Sequence, residues 1–448
     1  MTFVRDRQIR AAIAAIAVSV FASGAHAVIA IQRWVQPDGA QVYLVESPAI
    51  PMVDVQVDFD AGGRRDPQDK TGLASVTAGM TSRGVRAHGN QPALDENALS
   101  EAWTDLGASF GGSAGQDRMS FSLRSLTAPD LLARATALAA RQIAEPAFPA
   151  DVWQRERDRS IAALKEAETR PATIASRAYN PAVYGGHPYG RDATEATLKQ
   201  IGVEDMQAYY TQRVRACRAK VSIVGAVTRE QARQMVSTLL ARLPAGGCSG
   251  NEPVVAEVPK LDAPRDIRIP FDSAQAHVLI GQPGYRRSDP DHFALTVGNY
   301  ILGGGGFVSR LYGEVREKRG LSYSVYSYFS PGLHEGAFSI GLQTRPDQAA
   351  QAVQVSRDVL RQFVADGPTE AELKAAKDNL IGGFALQLDT NRKLLGNVSG
   401  IAWNNLPLNY LDTWTQRIEA VTVADIKAAF ARKLSPDTMV TVVVGGKP

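Results

Sequence analysis

Ile201-Gly202-Val203-Glu204-Asp205-Met206, followed by Tyr210 and the apolar run Val221–Val224, has a counterpart 220 residues later in Val421-Thr422-Val423-Ala424-Asp425-Ile426, Phe430 and Thr441–Val444. Each copy ends on a glycine, Gly225 or Gly445. A second pair recurs at an offset of 217: Phe121-Ser122-Leu123 with Pro129-Asp130, and Phe338-Ser339-Ile340 with Pro346-Asp347. One such match arises by chance, but several in the same order at nearly constant spacing mark a duplicated unit. Working outward from these matches, Val53–Phe59 alternates with period two, and Ala/Leu-rich and mixed-charge helical runs follow Pro129 and Pro149. The sequence therefore predicts an α+β fold of two homologous domains, each a mostly antiparallel β-sheet with helices packed on one face.

Composition sets the frame. A chain of 448 residues, 44% apolar and 21% charged, is ordinary globular protein and too long for one core. Residues 1–27 read as a secretory signal peptide: Arg5, Arg7 and Arg10, an apolar run from Ala11 to Ala22, and the small-residue site Ala25-His26-Ala27. The predicted domains are then 28–243 and 265–448, joined by a Gly- and Pro-rich linker at 244–264. No later segment is apolar enough for a membrane span, and the expected location is periplasmic or secreted. Removing three Arg and one Asp with the leader takes the net charge from +3 to +1, which gives no electrostatic reason to expect nucleic acid. Cys217 and Cys248 are the only cysteines. In an oxidising compartment they can pair, and two buried thiols are the other reading.

The chemistry concentrates in Gly303-Gly304-Gly305-Gly306 and the charged run Glu314-Val315-Arg316-Glu317-Lys318-Arg319, ended by Gly320. This spacing predicts Arg316 in the last turn of a helix and Tyr323, seven residues on, at the start of a strand. Two polar donors on adjoining rigid elements suit a charged or polarised oxygen; a helix-end cation beside an ordinary strand tyrosine is the plain alternative. The glycine run lacks the Lys-Ser/Thr of a phosphate loop. It reads as a pliable segment beside a substrate or partner chain, or as simple close packing. His187, in Gly-His-Pro-Tyr-Gly, has no acid or nucleophile beside it and reads as structural.

Lys70-Thr71-Gly72-Leu73-Ala74, Pro146-Ala147-Phe148-Pro149, His187-Pro188-Tyr189-Gly190-Arg191 and the Arg316–Tyr323 spacing resemble the pitrilysin/insulinase/mitochondrial-processing-peptidase family, in order and across the mature chain. In that family, catalytic chains carry His-x-x-Glu-His on the helix after Gly-Leu-Ala, with a distant Glu completing a zinc site. Here the matching positions are Ser75, Ala78, Gly79 and, on the later helix, Ala163 (Ala162 if the register slips by one). None of these is a zinc ligand or a base. The five mature histidines are scattered, none with another within four residues.

The Arg and Tyr of the family's second half do match, at Arg316 and Tyr323. The resemblance therefore implies a non-metal-binding subunit of a heteromeric zinc metallopeptidase. It implies no cofactor in this chain, zinc in a homologous partner chain, and Arg316 and Tyr323 supplied for peptide binding and oxyanion stabilisation. A catalytically inert peptide-binding or scaffold protein of the same fold is the alternative.

Overall fold

The computed structural model describes residues 29–244, 246–248 and 253–446; the predicted signal peptide lies outside them. In the first half, β1 (Gln32–Val35), β2 (Gln41–Glu46), β3 (Met52–Phe59), β6 (Ser109–Ala114), β7 (Met119–Leu126) and β8 (Lys220–Gly225) form one sheet in the order β1-β2-β8-β3-β7-β6. The short strands β4 (Gly84–Val85) and β5 (Leu94–Asp95) pair separately. In the second half, β9 (Arg265–Ile269), β10 (Ala276–Tyr285), β11 (Val325–Phe329), β12 (Gly336–Thr344) and β13 (Val440–Val444) take the order β11-β12-β10-β13-β9. Setting β1 aside, the two orders superimpose strand for strand. The single parallel pairing of each sheet falls at the same place, β2 on β8 and β9 on β13.

The repeated residues show why the duplication is visible in the sequence. Asp205 and Asp425 are the third residues of equivalent helices, and each carboxylate accepts from the backbone N–H just before its helix, Gly202 at 2.8 Å and Thr422 at 2.9 Å. These contacts satisfy donors that a helix start leaves orphaned. Met206 and Ile426, one position on, are fully buried.

Helices pack on one face of each sheet, as expected, and alternation along the strands shows that the other face is buried as well. Val42 and Leu44 point into the core of the first half, whereas Tyr43, Val45 and Val224 point away from it. These outward residues are covered by a helix of the second half, Asn391–Trp403, through Leu394, Leu395, Val398 and Ile401. The converse holds for the second sheet. Val440, Val442 and Val444 are covered by the first-half helix Pro171–Tyr184, through Ala175, Tyr179 and Val183. The two halves thus exchange helices, and neither sheet is completed by its own half.

Polar contacts fix both seats. Asp58, fully buried on β3, accepts from Arg118 Nη1 (2.9 Å), Ser120 Oγ (2.5 Å), Gln56 Nε2 (2.9 Å) and, from the exchanged helix, Ser399 Oγ (3.1 Å). Lys220 Nζ on β8 donates to the terminal carbonyls of the same helix, Ala402 at 2.8 Å and Trp403 at 3.2 Å, where a cation suits the helix dipole. On the other seat, the Tyr179 hydroxyl lies 2.7 Å from Ser339 Oγ. It passes directly over Gly281, where a Cβ would sit 2.0 Å from it.

Cys217 and Cys248 are joined by a disulfide, with Cα atoms 6.3 Å apart. His187 is buried in the turn before Pro188–Gly190. Its Nδ1 accepts from Tyr189 N–H at 3.1 Å, and its ring meets Tyr189 and His334 edge-on. Burial and the neighbouring His334 push its pKa down to about 4, so it is a neutral packing group at pH 7. Among the described residues, no helix is long and apolar enough to cross a membrane.

The exchange predicts energetic coupling between distant sequence positions. Asp58→Ala leaves Arg118 without its carboxylate and should lower stability by about 3 kcal/mol. Ser399→Ala should cost about 1 kcal/mol. Because both act on one hydrogen-bonded group, the double mutant should lose clearly less than the sum in urea titrations. Strict additivity would mean that the helix does not seat on Asp58.

Candidate functional site

The site is built on a helix that loosens into a glycine turn. His292–Asn299 is α-helical, Tyr300–Gly304 widens into a π-type turn, and Gly306–Val308 tightens into a single 3-10 turn. The glycines have separate reasons. A Cβ on Gly303 would lie 2.5 Å from the backbone nitrogen of Ser327, so only glycine lets this turn close onto β11. Gly306 has φ +61°, a left-handed conformation that glycine adopts without strain. Gly303, Gly304 and Gly306 line the cavity described next, and Gly305 packs against Tyr300. Close packing therefore accounts for part of the run, and its position beside the cavity for the rest.

A second π-type turn, Tyr312–Glu317, carries Arg316. The turn ends at Gly320 (φ +62°), whose N–H donates to Arg316 O at 2.8 Å, while Leu321 N–H donates to Val315 O at 2.9 Å. Beyond it, Ser322 is buried and its hydroxyl donates to Ser324 O (2.6 Å) and Gln343 O (2.7 Å). This pins the backbone on either side of Tyr323. The strand begins only at Val325, so Tyr323 stands on the pinned connection and not at a strand start. Freed of ladder packing, its ring is 80% exposed.

Arg316 and Tyr323 are brought together. The guanidinium carbon lies 4.7 Å from the Tyr323 ring centre, 4.7 Å from that of Tyr312 and 5.8 Å from that of Phe307, and Nη1 donates to the Tyr312 hydroxyl. Of the two acids of the same turn, Glu314 is taken by Lys318 (2.6 Å) and Arg319 (2.7 Å), and Glu317 is exposed and makes no ion pair with Arg316. Arg310 is paired with Glu372 at 2.6 Å. Arg316 has no carboxylate partner among the described residues. It opens onto a cavity of about 620 Å³, lined further by Asn299, Phe307, Tyr326 and Tyr328. β11, the edge strand of its sheet, forms one wall; its free side is met at Ser327 by Asn299 Nδ2 (3.1 Å). The arrangement offers an unpaired cation and an exposed phenol to a polar oxygen, with aromatic surface around them.

The positions that match a zinc motif do not fit zinc. Ser75, Ala78 and Gly79 lie on helix Leu73–Met80, whose start is held by Asp66 through the N–H groups of Gly72 (2.8 Å) and Ala74 (2.9 Å). Ser75 and Gly79 are exposed and Ala78 is buried, while Ala163 and Ala162 are exposed on helix Ala150–Ala167. These offer a hydroxyl, methyls and a hydrogen, none of them the imidazole, thiolate or carboxylate that zinc takes. Among the described residues, no three His, Cys, Asp or Glu side chains are grouped to hold a metal. One turn past Gly79, Arg83 pairs with Glu96 and Glu156, so these acids are already neutralised.

Sequence reasoning missed Phe307, Tyr312, Tyr326 and Tyr328 as parts of the site. The alternation Ser324-Val325-Tyr326-Ser327-Tyr328 was the available signal, and it reads equally as an ordinary strand.

Comparison with known proteins accords with this geometry. Residues 200–380 match the family model described as the peptidase M16 inactive domain. The chain superimposes on the crystal structure of a peptidase M16 inactive domain from Pseudomonas fluorescens with a TM-score of 0.87 and 33% identity, covering 94% of this chain and 98% of that one. It is 25% identical over 414 residues to a Mycobacterium tuberculosis protein named as an uncharacterized zinc protease, covering 91% of this chain and 92% of that protein. It is 24% identical over 392 residues to a Helicobacter pylori protein named as a non-peptidase homolog, covering 85% and 86%. With a likeness of one third of its residues over nearly its whole length, this chain belongs to the peptidase M16 family that its motifs resemble.

Proposed function

We propose that this chain is the non-metal-binding subunit of a two-chain zinc peptidase, periplasmic or secreted, that binds extended peptide and supplies Arg316 and Tyr323 to a homologous partner holding the metal. One observation carries the reading. The donor pair is kept, pinned and open to a cavity, while Ser75, Ala78, Gly79 and Ala163 offer nothing that zinc binds.

The chemistry of the pair supports the role. A guanidinium stays charged at any relevant pH, and stacking between two rings leaves its outer N–H edge to donate. The Tyr323 hydroxyl is a directed donor on a fixed backbone. Two such donors aimed at one peptide carbonyl oxygen bind it in the ground state and hold it more strongly as negative charge develops there. An extended peptide reaches them by running along an exposed sheet edge, β6 or the open end of β11. A second reading, an inert peptide-binding or scaffold protein, is favoured by the name of the Helicobacter pylori relative.

Assembly separates the two. The isolated chain is expected to hold no stoichiometric zinc and to cleave no peptide. Mixed with a homologue bearing His-x-x-Glu-His, it should give chelator-sensitive peptidase activity that neither chain shows alone. A homologue that is fully active by itself and unchanged by the addition supports the scaffold reading.

The pair is tested in that assembled enzyme. Tyr323→Phe keeps the ring and removes the donor, and should lower turnover by about 10²–10³ with assembly and zinc content unchanged. Arg316→Ala should cost at least as much and also raise KM. Wild-type turnover in both variants would reduce Arg316 to a helix-end charge and Tyr323 to surface.

A further inference from the structure

Eleven large apolar or aromatic residues are exposed among those described, and four of them, Phe307, Tyr323, Tyr326 and Tyr328, line the one cavity at Arg316. Val308, next to Phe307, is also exposed. Scattered apolar residues on a surface need no explanation, but an aromatic concentration of this kind marks a place that something covers.

The arrangement is built. Tyr326 and Tyr328 lie on the same side of β11 with ring centres 5.9 Å apart and planes 21° from parallel, leaving rings 41% and 42% exposed. Tyr326 lies flat over β12 because its direct cross-strand neighbour is Gly341, where a Cβ would fall 2.6 Å from the ring. Covering a glycine accounts for where Tyr326 rests; it accounts neither for Tyr328 beside it nor for Phe307 across the cavity, 73% exposed. The charge is one-sided: Arg316 is the sole ionic group among the lining residues.

We propose that Tyr326, Tyr328 and Phe307 form a side-chain subsite for an aromatic residue of the bound peptide, and that Arg316 closes this subsite to lysine and arginine. The inference rests on the peptide-binding reading above and adds what is selected. An aromatic guest stacks on the paired tyrosine rings and meets the Phe307 ring, recovering burial that the free chain lacks. A cationic guest meets a guanidinium with no carboxylate among the lining residues to offset the repulsion.

The test is equilibrium binding of fluorescent decapeptides to the full mature chain, identical except for one guest position occupied by Phe, Leu, Ser, Glu or Lys. The expected order puts Phe first, with Lys weaker than Ser and at least about tenfold weaker than Phe. Tyr326→Ser with Tyr328→Ser should cut Phe binding about tenfold and Ser binding clearly less, so that the Phe-over-Ser preference falls. Gly341→Ala, which crowds the Tyr326 ring without removing it, should shift the same guest in the same direction should the strand variant fold poorly. Arg316→Gln should bring Lys level with Ser. Equal binding of all guests, or a Lys preference, overturns the subsite. So does a tyrosine variant that loses association with the partner chain while guest selectivity stays intact. The subunit reading is judged separately, by whether activity appears on mixing with the zinc-bearing homologue.

Discussion

The contact between Asp58 and Ser399, joined by Arg118, spans 341 residues of chain and stands for the constraint on which the architecture rests. A sheet has two faces. In this molecule each half has helices of its own for one face, and the other is left apolar, as Tyr43, Val45 and Val224 are in the first half and Val440, Val442 and Val444 in the second. Exposing such rows to water would cost on the order of 1.5–3 kcal/mol per large side chain. Each half resolves the problem by covering the other's sheet. The two halves are therefore one cooperative object, although the chain that joins them is rich in Gly and Pro.

The exchange also bears on the site. Helix Pro171–Tyr184 packs against the face of β10, β12 and β13 behind the edge strand β11. The glycine turn closes on β11 at Ser327, and Ser322 ties the Tyr323 connection to Gln343 on β12. Tyr323 is thereby held by β-structure that the other half supports, and Arg316 stands on the adjoining turn that Gly320 ends. A pair of donors acts on developing charge only if its aim is set beforehand, so in the proposed role this support would serve function as well as stability.

Much of this was legible in the chain because the determining interactions are local. Asp205 and Asp425 cap helices that begin two residues earlier, so each interaction lies within one turn and the duplication is visible as a motif. Arg316 and Tyr323 are separated by one connection, so their proximity follows from spacing alone. The absence of zinc ligands was legible once Ser75, Ala78 and Gly79 on one short helix, and Ala163 on a later one, were set against the family motif. Tyr326 and Tyr328 were not legible as a site. Alternating tyrosines describe any half-buried strand, and only the placement of β11 at the sheet edge leaves these two rings open.

The sequence by itself determined the duplication, the α+β class and the spacing of the donor pair, because each rests on short local patterns, and the family motif showed which positions lack zinc ligands. Only the tertiary structure decided which sheet each helix covers, and that Arg316 faces a cavity with rings around it and no acid lining it. Leu394, Leu395, Val398 and Ile401 make an apolar stripe that suits either sheet equally well. The choice is made by groups far away in sequence, a buried carboxylate at Asp58 and a lysine at 220 on one seat, a missing side chain at Gly281 on the other. Hydrophobic burial drives the covering without direction, and these few polar and steric contacts supply the direction.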